Sequence, residues 1–141
     1  SRLVAGESVE LSDGRVIHPD DVLGPPERHA WLAHVGDTGG TEDLMEPVSG
    51  ADLLVIEATY LERDADLARQ FDHLTAAQAA RLAQEAGVHQ LALTHISRRY
   101  RESDVLEEAQ AIMPNTVVAH DLDRFRVLRE DVERVRESDE T

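Results

Sequence analysis

The sequence contains no cysteine, which excludes disulfides, thiolate metal sites and cysteine nucleophiles together. It also contains no lysine: all 14 basic residues are arginine, set against 29 acidic residues, for a net charge of −15. Such a surplus fits two explanations, adaptation to concentrated salt, where self-repulsion is screened, or a GC-rich genome that favours arginine codons. Either way the acidity argues against a surface that binds nucleic acid broadly, because phosphate neutralisation needs clustered cations. No apolar run approaches the roughly 18 residues needed to span a bilayer, and no charged-then-apolar leader opens the chain. What remains is 141 residues, 41% of them hydrophobic, enough for one domain with a real core. The expectation is a soluble, cytoplasmic, single globular unit. Ser1 is not an initiator methionine, which leaves open a processed chain or a piece of a longer one.

The patterning alternates strands and helices. Val9 to Val22 reads as short strands broken by the turn Ser12-Asp13-Gly14, and Gly24-Pro25-Pro26 forces an irregular connection. Trp31 to Val35 is a short apolar run that stops at Gly36-Asp37-Thr38-Gly39-Gly40. Leu53-Leu54-Val55-Ile56 and Leu91-Ala92-Leu93 are continuous apolar runs, as expected of strands buried on both faces. Between them Thr75, with Gln78 three residues on, predicts a capped helix running to Gly87. A second helix is predicted from about Glu102 to Ile112, before Pro114, and Val117–Ala119 and Phe125–Leu128 close the series as strands. The tail from Arg129 is charged, with a fraying helix as one reading. This order predicts an α/β layered fold with a mixed sheet over residues 1–128 and a charged tail over 129–141.

Several apolar runs end in residues able to bind metal or move protons: Asp37, Glu57, His95 and Asp121. Open α/β sheets bind ligands off the ends of strands, so residues distant in sequence can meet there. Asp37 in its glycine turn is either a bridge between two cations or an Asx-turn residue. His95 is either a zinc ligand or a half-buried structural histidine. His73 stands before a helix, and Glu57 is its expected partner in a pair able to protonate a leaving group. Arg98, Arg99 and Arg101 form a dense cationic run, read as a solvated segment or as a phosphate clamp. His18, His29, His34, His89 and His120 show no ligand spacing and read as surface or structural. A two-metal hydrolytic centre needs roughly seven protein ligands plus a bridging water, more than these residues supply.

Taken in order, Gly36-Asp37-Thr38, Ala51-Asp52-Leu53-Leu54 with Glu57-Ala58-Thr59-Tyr60, His73-Leu74-Thr75-Ala76-Ala77-Gln78-Ala79-Ala80 and Leu93-Thr94-His95-Ile96-Ser97-Arg98-Arg99-Tyr100 resemble a known family. They are similar to the C-terminal motifs of ribonuclease Z, the tRNA 3′-processing endoribonuclease of the metallo-β-lactamase fold. The resemblance implies the C-terminal half of a four-layered αββα sandwich. It implies that Asp37 bridges two zinc ions and that His95 is a ligand of the second, with manganese or iron as other metals such a donor set accepts. It implies that Glu57 and His73 deliver a proton to the departing 3′-oxygen, and that Ser97, Arg99 and Tyr100 line a pocket for phosphate or the terminal nucleotide. The substrate implied is precursor tRNA, and the complete enzyme is implied to be a homodimer.

The departures are as informative. The family's His-x-His-x-Asp-His signature, its additional ligand histidine and the arm that grips the tRNA elbow are absent here, and Leu74 stands where serine is usual. The chain is therefore expected to carry half of an active site, to be inactive without an N-terminal half, and to expose an apolar sheet face where that half packs. Two other readings are another hydrolase of the fold acting on small phosphodiesters or sulfate esters, and a non-catalytic assembly module that has lost its metal.

Overall fold

The computed structural model describes residues 2–3, 5–24 and 29–135. Pro25 and Pro26, and the end of the tail from residue 136, lie outside the described residues. A small antiparallel ribbon opens the chain: β1 (Val9–Glu10) pairs with β2 (Val16–Ile17) across the expected turn. The short α1 (Pro19–Val22) follows.

The centre is a parallel sheet of four strands in chain order, β3 (Leu32–His34), β4 (Leu53–Glu57), β5 (Gln90–Thr94) and β6 (Thr116–Val118). Parallel neighbours need crossovers, and helices supply them. The helices are α2 (Met45–Val48) before β4, α3 (Ala65–Gln70) and α4 (Ala76–Glu85) before β5, and α5 (Glu102–Gln110) before β6. The capped helix is as expected: the Thr75 side chain accepts from the Gln78 N–H while the Thr75 N–H donates to the Gln78 side chain.

Register sorts the faces. Leu54 pairs with Leu91 and Ile56 with Leu93, so these four share a face and meet Leu74, Ala79, Ala80, Leu82 and Val105 in the core. The alanine-rich face of α4 lets its backbone come close to the sheet, and each buried leucine contributes about 1.5–3 kcal/mol. The opposite face carries Leu32, Leu53, Ala92 and, at the C-terminal end, Glu57.

That opposite face is not the open apolar surface expected from the sequence. Leu32 on edge strand β3 is exposed, but Leu53 and Ala92 are fully buried. The chain's end is fastened to this sheet. Instead of a helix, the segment after Arg129 turns at Glu130 and forms β8 (Asp131–Val135), antiparallel to β7 (Arg124–Leu128). This ribbon is tied at both ends of the sheet. The Glu130 N–H donates to Asp52 just before β4, and Arg134 donates to the Val118 carbonyl at the end of β6. Phe125, Val127 and Val132 are half-buried along it. Among the described residues antiparallel pairing is confined to the two ribbons, and the central sheet is parallel throughout rather than mixed.

Candidate metal centre

All four strand-end residues singled out above lie at one edge, because parallel strands present their carboxyl ends together. Asp37 follows β3, Glu57 ends β4, His95 follows β5 and Asp121 follows β6. His73 arrives by another route. Helix α3 ends with Asp72 in the left-handed conformation (φ 55°), and the His73 N–H bonds back to the Ala68 carbonyl. The strand-like bridge between Tyr60 and Thr75 then fastens this loop beside the end of β4.

Glu57 is the anchor. Its carboxylate is 1% exposed and every acceptor direction is used. The Thr38 N–H donates to Oε1 at 2.7 Å, the Thr59 hydroxyl lies 2.6 Å from Oε2, and His73 Nδ1 is 3.1 and 3.0 Å from the two oxygens. With Nδ1 held by the carboxylate, the other ring nitrogen of His73 is left for chemistry. The His73 and His95 rings lie 5.2 Å apart between centroids, and His95 Nε2 is 4.0 Å from Asp37 Oδ2. One ligand atom each from Asp37, His73 and His95 can be chosen so that all lie within 4.8 Å of one another. One carboxylate and two imidazoles are a donor set suited to a divalent transition metal, and three protein ligands with an open position is the pattern of a catalytic rather than a structural site. The residues present therefore fit a metal. Asp37 and His95 are about half exposed, so the position is open to solvent.

Asp121 does not join this cluster. It lines an adjoining cleft of about 550 Å³ with His95, Ser97, Arg98, Tyr100 and His120. Of the expected phosphate-pocket residues, Ser97 and Tyr100 lie on that wall. Arg99 is exposed, with its N–H donating to Ser97 Oγ, and Arg98 faces the cleft. The Tyr100 hydroxyl donates to Asp64, and Arg63 lies over its ring. Burial first, and then that bond, push the Tyr100 phenol above its ordinary value, so it stays neutral beyond the range of free tyrosine.

At the cleft's far side the His120 ring meets Glu102 at 2.7 Å, and Asp123 accepts from the His120 N–H and from Arg134. The His120 N–H first, and Arg134 after it, hold the Asp123 carboxyl below its ordinary value. The stability this gives the ribbon is present above the ordinary aspartate range and is lost as pH falls through the lowered value.

Three functional contacts were not anticipated from the sequence: Thr38 and Thr59 on Glu57, and Gly39 against Asp72. A threonine follows each acidic residue, one place after Asp37 and two after Glu57, and the second spacing returns to the same side of an extended chain. Gly39 matters because a Cβ there would lie 3.1 Å from the Asp72 backbone Cα. Gly39→Ala is therefore expected to push the His73 loop away and to cost about 1–3 kcal/mol. The check is His73 ring chemical shifts with a denaturant melt. Unchanged shifts would refute it.

A parallel α/β sheet with a metal-competent cluster at its carboxyl edge is consistent with the beta-lactamase superfamily fold. Residues 22–96 match the Beta-lactamase superfamily domain, and the chain belongs to that family. Within it, the sequence is similar to ribonuclease Z. It is 52% identical over 125 residues to ribonuclease Z of Bradyrhizobium sp. (strain ORS 278), covering 89% of this chain and 42% of that protein. Ribonuclease Z of Brevibacillus brevis is 44% identical over 135 residues, with 91% and 42% covered. The chain thus spans about two fifths of the length of these curated relatives. Among solved structures, human tRNase Z, short form, aligns with a TM-score of 0.51 and 27% identity, over 75% of this chain and 34% of that one. A metallo-beta-lactamase fold protein from Bacillus subtilis aligns at 0.59 with 21% identity, over 74% and 39%, which bears on the fold alone. Among the described residues no helix is long and apolar enough to cross a membrane.

Proposed function

We propose that the complete protein is a zinc-dependent endoribonuclease that removes 3′ trailers from precursor tRNA, with this chain holding the C-terminal part of the active site. The observation that carries the reading is the Glu57–His73 pair, its carboxylate buried, standing beside Asp37 and His95. The similarity to ribonuclease Z supports the substrate.

In this reading Asp37 and His95 hold metal, and two zinc ions in the complete site supply the activated water and neutralise the phosphate. Glu57 orients His73 through Nδ1. From its other nitrogen His73 gives a proton to the 3′-oxygen as the phosphorus–oxygen bond breaks, so the tRNA leaves with a 3′-hydroxyl and the trailer keeps the phosphate. Ser97 and Tyr100 stand on the wall beside this point with Arg99 exposed next to them, and the serine hydroxyl and the arginine fork suit a phosphate. The complete enzyme is proposed to act as a homodimer in the cytoplasm.

A second reading is favoured by the closeness of His73 to Asp37 and His95: His73 is itself a metal ligand, oriented by Glu57. His73→Ala separates the two. If His73 moves protons, the variant of the complete protein keeps its zinc, by elemental mass spectrometry after dialysis, and loses cleavage. If His73 is a ligand, zinc falls as well. Cleavage of a small diester but not of precursor tRNA by the unmodified protein would replace the tRNA assignment with another phosphodiesterase. Failure to retain zinc together with tight binding of a protein partner would point to the assembly module.

A further inference from the structure

Thr59 links three parts of this edge. Its side chain is buried, and its hydroxyl lies 2.6 Å from Glu57 Oε2 and 2.9 Å from the His95 carbonyl oxygen. Its own carbonyl accepts the Ser97 N–H at 3.2 Å. One residue therefore contacts the carboxylate of the proton-transfer pair, the backbone of a metal-binding histidine and the backbone of the cleft wall.

His95 needs such support. It has a φ of 54°, a left-handed conformation that a residue with a Cβ adopts at a cost and keeps only where its surroundings fix it. The neighbouring parallel ladder cannot supply that fixing, because β5 ends at Thr94. Beyond that point the Thr59 hydroxyl and carbonyl grip the chain on both sides of Ile96.

We propose that Thr59 is a positioning residue: its hydroxyl and carbonyl lock the left-handed turn at His95 and, through Oε2, the Glu57 carboxylate, so that the metal-binding and proton-transfer groups keep one fixed geometry. This deepens the metal-centre reading and rests on it for the role of His95. The hydroxyl's single proton is shared in a three-centre bond between Glu57 Oε2 and the His95 carbonyl, which keeps the side chain between the two loops.

The test uses the full chain, with Zn2+ alone as the probe, in Thr59→Val, which keeps the shape and removes the hydroxyl, and Thr59→Ser, which keeps the hydroxyl. Thr59→Val is expected to weaken Zn2+ binding about tenfold or more, to shift the His95 and Ser97 amide resonances and to speed hydrogen exchange at the Ser97 amide. Thr59→Ser is expected to restore all three, which a generic loss of packing would not do. Wild-type Zn2+ affinity with unmoved His95 and Ser97 amides in Thr59→Val would overturn the proposal, as would equal damage in Thr59→Ser. Should Thr59→Val not fold, Thr59→Ala is read against the same criteria. If the unmodified chain binds no Zn2+, the ion needs ligands from the rest of the complete protein, and the amide shifts and exchange alone decide the role of Thr59.

Discussion

Replacing Glu57 with glutamine is expected to lower cleavage by the complete enzyme by about 10²–10⁴-fold, the usual worth of a positioned proton donor. The carboxylate receives the Thr38 N–H, the Thr59 hydroxyl and His73 Nδ1 at once, a task that suits two acceptor oxygens. Glutamine has one. With its oxygen towards the Thr38 N–H, its amide nitrogen faces Thr59, whose hydroxyl can turn to accept. The imidazole then loses the anionic partner that held its orientation. Stability is expected to fall by only about 1–3 kcal/mol, the scale of one compromised buried hydrogen bond. Steady-state cleavage of precursor tRNA beside a chemical melt checks both numbers. Turnover within a few-fold of the unmodified enzyme would remove Glu57 from the proton path and leave it a structural carboxylate.

Asp52→Ala is expected to cost about 3–5 kcal/mol, from two charge-assisted bonds whose backbone donors lose their partner. Asp52 is 1% exposed and sits where β4 begins. Its Oδ2 accepts the Trp31 N–H at 2.7 Å, fixing the entry to edge strand β3, and its Oδ1 accepts the Glu130 N–H at 2.8 Å, fixing the bend of the C-terminal ribbon. Losing both should free the ribbon and expose the sheet face around Leu53 and Ala92. Amide exchange at Trp31 and Glu130 is expected to rise together with the fall in melting midpoint. Asp52→Asn, which keeps one acceptor oxygen, should lose protection at one of the two amides and about half the stability. Retained protection at both in Asp52→Ala would mean that other contacts hold the ribbon.

The elements were readable where local physics settles them. The capping pair Thr75 and Gln78 marks the start of α4 in the sequence, and the runs Leu53–Ile56 and Leu91–Leu93 mark buried strands, because two-sided burial leaves no polar alternation. Of the C-terminal ribbon, the strand at Phe125–Leu128 was readable and the one after Arg129 was not: Asp-Val-Glu-Arg-Val mixes charge with apolar residues as a surface helix also can, and only pairing with β7 and the ties at Asp52 and Val118 decide for a strand.

The site divides the same way. The sequence by itself determined which groups are chemically able: Asp37, Glu57, His73 and His95 each stand at the end of an apolar run or the start of a helix, in motifs similar to one family. Residue type and local context suffice for that. Only the tertiary structure decided that they converge, since parallel strands must cross over before pairing and so carry their ends to one edge. It also decided that Glu57 points away from the helix-side core and that Thr59 and Thr38 close around it. The longer of those contacts, Thr38 to Glu57, joins residues 19 positions apart through a hydrogen bond that exists only once the strands are in register.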